Sequence, residues 1–140
     1  MTLNSALAGV LVFVGVTGLA DSGHAQSSLG WGAGDSVIGE YEAYIGPRDL
    51  RNSNGARLSQ AWQVLRQDRA NYHRYGLKDR GDQGDNFFGN ADNREIMERL
   101  VRNGNVAPSA ARAVVAGGVW VTVRVIGRGS TGHSVEVVVN

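Results

Sequence analysis

The C-terminal third of the chain alternates valine with other residues, and that alternation limits the fold more than any other feature. In VWVTVRVI, residues 119–126, Val119, Val121, Val123 and Val125 fall on one side of an extended strand. In SVEVVVN, residues 134–140, Val135, Val137 and Val139 do the same. A period of two is the signature of a strand with one buried face. The Gly-containing stretch 127–133 between them closes a hairpin. Pairing Val123 with Val137 superposes the two valine faces and sets Arg124 opposite Glu136, a favourable cross-strand pair. The other face carries Trp120, Thr122, Ile126 and Val138 and is mixed. GRGSTG in the connection lacks the Gly-Lys-Ser/Thr ending of a phosphate loop and precedes a strand, so it reads as a hairpin tip with His133 as an isolated surface histidine.

A two-stranded hairpin is marginal alone, so its valine face needs a cover, and the rest of the chain supplies candidates. VIGEYEAYI, residues 37–45, puts Tyr41, Ala43 and Ile45 on one face and Glu40, Glu42 and Tyr44 on the other, as a third strand would. Gly46-Pro47 ends it. Three segments have helical patterning. Leu58–Gly76 is the longest, with Leu58, Ala61, Trp62, Leu65 and Tyr72 on one arc, Gly76 as left-handed stop and Leu77 as the apolar contact behind it. Asn93–Asn103 has Asp92 and Glu95 placed as a capping box. Pro108–Ala116 has proline in its first turn and Gly117-Gly118 as a stop. The expected architecture is α+β: residues 37–140 form one domain in which a small antiparallel sheet is packed by about three helices.

Residues 6–20, ALAGVLVFVGVTGLA, are uncharged and apolar, and fall short of the ~20 residues needed to span a bilayer. Small residues at Gly23 and Ala25 suit a signal peptidase, so residues 1–25 read as a signal peptide cut after Ala25. An uncleaved anchor is the alternative. Residues 26–36, rich in Gly and Ser, would form a flexible leader. The expected location is periplasmic or secreted, with no membrane span after cleavage. The chain contains no cysteine, which removes disulfides, thiolate metal sites, cysteine nucleophiles and a lipid-modified cysteine anchor together. The formal net charge of +1 argues against a dedicated nucleic-acid binder. Lys78 is the one lysine, and every other cation is an arginine, whose planar fork suits fixed contacts to carboxylate or phosphate.

The long helix carries the candidate site. Spaced at roughly 100° per residue, Arg69 falls near the centre of its apolar arc, with Asp68 on one edge and His73 on the other. An arginine there must reach water or meet a carboxylate, because an unpaired buried charge costs several kcal/mol. Asp68, Asp49, Glu40 and the acids of the following loop are its candidate partners. Asp68, Arg69, Tyr72 and His73 therefore form a polar group in or beside the core, with Arg48 and Asp49 presented nearby by the 48–57 loop. That loop is either a recognition loop or the segment that caps the helix. The polar group is either a structural brace or an anion or acid/base site with His73 as proton carrier. Asp79, Asp82 and Asp85 recur in the loop after Gly76, where oxygen ligands could hold calcium; the spacing departs from the EF-hand pattern. A solvated loop with one acid reaching back to Arg69 or Arg74, tucked onto the core by Phe87 and Phe88, is the simpler expectation.

LRQDRANYHRYG, with FF and NR downstream, resembles a set of small exported bacterial proteins over roughly residues 41–126. The resemblance implies no activity, cofactor or catalytic residue. The sequence thus points to a non-catalytic binding or structural protein of the bacterial envelope, without cofactor, whose partner is a protein or an anionic ligand. The alternative is a small hydrolase or lyase using His73 with a nearby carboxylate.

Overall fold

The computed structural model describes residues 32–104 and 106–140. The expected signal peptide, Trp31 and residues 26–31 of the expected leader lie outside the described residues. The elements run β1 (Ser36–Ile45), α1 (Ala61–Tyr75), α2 (Ala91–Glu95), α3 (Met97–Asn103), α4 (Pro108–Ala116), β2 (Val119–Arg128) and β3 (Thr131–Val139). The three strands form one antiparallel sheet in the order β1-β2-β3. The fold is α+β, with four helices where the patterning predicts three. Among the described residues, no helix is long and apolar enough to cross a membrane.

The hairpin has the register that the valines require. Val121 faces Val139, Val123 faces Val137, Arg124 faces Glu136 and Val125 faces Val135. One irregularity between Ile126 and Gly127 shortens the connection to a tight turn after Arg128. Arg124 bridges both neighbouring strands, binding Glu136 of β3 at 3.2 Å and Glu40 of β1. His133, expected to be isolated, lies 3.2 Å from Asp35 because β1 starts beside the hairpin tip.

The valine face is extended by Tyr41, Ala43 and Ile45 in β1, paired with Val123, Val121 and Val119, and covered by helices: α1 packs on α3 and α4, which reach β3. Val64, Leu65, Phe88, Met97, Leu100 and Val114 fill the layer between and are fully or almost fully buried. Burying such side chains, at about 1.5–3 kcal/mol each, is the main drive for this packing. The outer sheet face stays mixed, with Trp120 and Val138 exposed.

β1 starts one residue early at Ser36, inside the expected leader, and β2 and β3 run on to Arg128 and from Thr131, further into the connection than the patterning predicts. The helices differ in three places, each for a local reason. Helix α1 begins at Ala61, not Leu58, because the Leu58 N–H donates to the Leu50 carbonyl at 2.9 Å beside an Arg51–Arg57 bridge, which holds Leu58 extended. Gln63 Oε1 then accepts from the Ser59 and Gln60 N–H groups, both at 3.1 Å. The 48–57 loop does not cap the helix; Asn52 instead closes its own turn by accepting from Asn54 and Ala56. The expected helix 93–103 is two short helices meeting at Ile96, whose ψ of −9° interrupts the ladder. Its start is capped by Asn90, accepting from the Asp92 N–H at 2.8 Å, and not by an Asp92–Glu95 box. Asn93 and Arg94 donate back to the carbonyls of Phe87 and Phe88, so this segment is tied to the preceding loop as well as to α3. At the other end of α1, Gly76 adopts the left-handed conformation as expected, the Leu77 N–H donates to the Asn71 carbonyl at 2.8 Å, and Leu77 is 46% exposed.

The α4–β2 connection depends on backbone geometry that only glycine tolerates. Gly117 has φ 76° and ψ −175°, a region closed to other residues at about 1–3 kcal/mol. A Cβ there would also lie 2.6 Å from Leu50 Cδ1. Gly76, at φ 65°, has nothing within 4 Å of an added Cβ. Denaturant titration should therefore show Gly117→Ala losing about 3 kcal/mol as strain and overpacking add. Gly76→Ala should lose only about 1 kcal/mol.

Candidate functional site

The buried face of α1 comprises Ala61, Val64, Leu65, Asp68, Arg69 and Asn71. Its midline passes close to Asp68, and Arg69 sits on the flank, the reverse of the order expected from the apolar residues alone. The cause is the segment after β1. Asp49 is buried there, accepting from the Gly46 N–H at 2.9 Å and from Asn71 Nδ2 at 2.8 Å. That contact covers the Val64–Asn71 side of the helix and rotates it inward. Asp49 accordingly belongs to a separate brace and does not meet Arg69. Arg48, its neighbour in sequence, is exposed and also stands apart. Glu40, the other proposed partner, is taken by Arg124.

Arg69 has no exposed side-chain surface. Its guanidinium carbon lies 3.8 Å from the centroid of the Tyr41 ring and 4.9 Å from that of Tyr72, an arrangement in which a cation meets the negative faces of aromatic rings. Nε donates to Asp68 Oδ2 at 2.7 Å. Nη1 donates to the Gln83 carbonyl at 2.8 Å and to Asp85 Oδ2 at 3.1 Å. Arg69 Nη2 and the Tyr41 hydroxyl are buried and have no partner among the described residues, which subtracts from what the cage contributes.

Asp85 is the residue that closes the group. Its Oδ2 also meets His73 Nε2 at 2.9 Å. Its Oδ1 accepts from the Phe87 N–H at 3.0 Å and from the Phe88 N–H. One carboxylate thus binds a guanidinium, an imidazole and two backbone N–H groups. The sequence marked Asp85 only as a calcium candidate and as one of several acids that could reach Arg69. The signal for more was the aspartate two and three residues before Phe87 and Phe88, the position from which a short acid turns the chain by binding N–H groups ahead of it.

The three loop aspartates do not converge. Asp82 accepts from the Tyr44 N–H at 2.8 Å and from the Asp79 N–H at 2.6 Å, while Asp85 faces Arg69 and His73. No group of three His, Asp or Glu suited to a metal ion occurs among the described residues. The Gln83 N–H donates to the Glu42 carbonyl at 2.8 Å, so the loop runs along the outer edge of β1 and fills hydrogen bonds that an exposed strand edge would leave open. Phe87 and Phe88 then turn into the core, with Phe88 edge-on to Tyr41 at 6.0 Å.

Burial pushes the Asp68 carboxyl up to about 7, although the Arg69 guanidinium beside it pulls the other way. Burial likewise raises Asp49, against the hydrogen bonds from Asn71 and Gly46, and raises Tyr41 well above the usual phenol value. Burial also opposes the Arg69 charge, but Tyr41 and the carboxylates of Asp68 and Asp85 outweigh it and hold its pKa above the ordinary guanidinium value. Arg69 therefore stays charged, and Asp68 is the member of the pair that can change state near neutrality.

Two outcomes are expected. Arg69→Met should cost about 3–5 kcal/mol in denaturant titration, because it leaves two buried carboxylates without their cation. The pH dependence follows from Asp68. Its unfolded value is ~3.9, so between about 4 and about 7 the folded chain holds the extra proton. Stability should then be greatest at the acid end of that window and fall as pH rises through it. Asp68→Asn should flatten that slope in melting curves recorded from pH 4 to pH 7.

The chain matches no protein-family model, and no curated protein and no solved structure matches it.

Proposed function

We propose that the protein is an exported, non-catalytic binding or structural protein of the bacterial envelope, in which the Asp68–Arg69–Asp85–His73 group is a clasp. The observation that carries this reading is the state of Asp85. Its two oxygens serve four donors: Arg69 Nη1, His73 Nε2 and the N–H groups of Phe87 and Phe88. A carboxylate so occupied has no free position from which to take a proton from a substrate; two of its bonds fix the 79–90 loop to α1 and the other two turn that loop on itself. Arg69 is likewise enclosed, so it suits holding the fold together and not meeting a ligand from solvent. Apolar residues 6–20 followed by Gly23 and Ala25 support export, as does the resemblance over residues 41–126.

One contact favours a second reading. His73 Nε2 at 2.9 Å from Asp85, with 14% of its side chain exposed, is the geometry in which a carboxylate orients a histidine for general base work. A hydrolase or lyase built on it would need the other ring nitrogen, Nδ1, to face its substrate. Affinity capture of the mature protein from its native envelope separates the readings when combined with turnover assays on model esters, peptides and glycosides. A partner retained in stoichiometric amount, with hydrolysis no faster than in buffer, is the expected result. Turnover that disappears in His73→Gln would favour the enzyme.

A further inference from the structure

The outer flank of α1 faces the 48–55 loop across two adjoining depressions, of about 400 Å³ and about 370 Å³. They share Asn52, Ser53, Gln67 and Tyr75, so together they form one groove. Its charge is one-sided. Arg48 and Arg51 line the first depression, Arg66 and Arg74 line the second, and no acid lines either. Nor does any of the four form an ion pair among the described residues. The chain as a whole carries only +1, so this side concentrates cations that the rest of the surface balances.

The first depression is also largely apolar. Tyr75 and Leu77, each 46% exposed, are two of the five large hydrophobic side chains left open to solvent among the described residues, and both line that depression. The wall of that depression is mostly carbon, which suits an inserted aliphatic or aromatic side chain better than a sugar or a phosphate backbone. Arginine forks on both sides suit carboxylates, which they can bind in pairs of parallel hydrogen bonds.

Resting on the non-catalytic reading and specifying its ligand, we infer that this groove binds an acidic peptide segment: a bulky apolar residue seats between Tyr75 and Leu77, and flanking Asp or Glu side chains meet Arg48, Arg51, Arg66 and Arg74. Charge complementarity supplies steering and register, and the apolar anchor supplies most of the retention.

Fluorescence anisotropy with the full chain tests this. The probe is a labelled peptide carrying Asp and Glu on both sides of a Leu-Phe pair. Its controls carry Lys for each acid, or Gly-Ser for Leu-Phe. A single-stranded oligonucleotide and an acidic polysaccharide are competed against the probe. The acidic apolar peptide should bind and weaken as salt rises to about 0.5 M, and both altered peptides should bind about tenfold or more weakly. Arg48→Ala combined with Arg74→Ala should weaken binding about tenfold, and Tyr75→Ala by a similar factor. All three side chains are exposed, so these variants keep the fold, and Arg112→Ala on α4 should bind as the parent does. Arg51 is left intact because its Nη1 holds the Gly55 carbonyl at 2.9 Å. No binding of the acidic peptide, equal binding of the Lys peptide, insensitivity to the groove variants, or displacement of the peptide by the oligonucleotide or polysaccharide at lower concentration would each overturn the assignment. Mass spectrometry of the probe after incubation reads the other question: a cleaved peptide overturns the non-catalytic reading and leaves the groove assignment standing on the binding data.

Discussion

A guanidinium with no exposed surface has to be neutralised and hydrogen-bonded from within the protein, and much of this fold is arranged to do that around Arg69. Two carboxylates, one backbone carbonyl and two aromatic rings meet it, and they come from three parts of the chain. Tyr41 is on β1, Asp68 and Tyr72 are on α1, and Gln83 and Asp85 belong to the loop after it. Removing any one contact leaves a charge or a polar group in a medium where it is costly. The cation therefore couples the sheet, the helix and the loop into one unit, an effect that apolar packing alone would not give with the same orientation.

The loop from 79 to 90 shows how that coupling spreads. It has no regular structure until α2, yet both its ends are fixed. Asp82 and Gln83 bind the edge of β1 through Tyr44 and Glu42, and Asp85 binds Arg69 and His73 while turning the backbone toward Phe87 and Phe88. The two phenylalanines then enter the core, and their carbonyls accept from Asn93 and Arg94 at the start of the next helices. A polar loop thus protects a strand edge, closes a charge and seats two aromatic side chains. The opposite flank of α1 is left with arginines, amides and an exposed Tyr75–Leu77 pair, so one helix presents a closed polar face inward and an open cationic face outward.

Much of the sheet is legible in the sequence. A period of two in valine, with Arg124 and Glu136 at matching positions, defined the hairpin pairing residue by residue, because a slip of one position would turn every valine to solvent. Tyr41, Ala43 and Ile45 identified β1 on the same ground. Helix ends were less legible. Leu58 fits the apolar arc of α1 but is held extended by Leu50, a residue that precedes it by a turn in the loop. Ile96 sits inside a good helical pattern but marks a break, since Asn93 and Arg94 are held by the loop before them. In both places a nearby hydrogen bond outweighed periodicity, and periodicity carries no information about such bonds.

For the candidate site, the sequence by itself determined that Arg69 had either to reach water or to meet a carboxylate, since a charged residue interrupts an otherwise apolar arc and burial of an unpaired charge is costly; its full burial, decided by the tertiary structure, left only the second. It also determined that Asp68, adjacent in the chain, was within reach. Tertiary structure alone decided that Asp85 completes the group and that Asp49 and Glu40 serve Asn71 and Arg124 instead. Those choices depend on which of several equally placed acids the folded backbone brings within hydrogen-bond distance. Short-range spacing fixes which side chains share a helix face, but the approach of a loop fourteen or sixteen residues further on depends on how the whole chain packs.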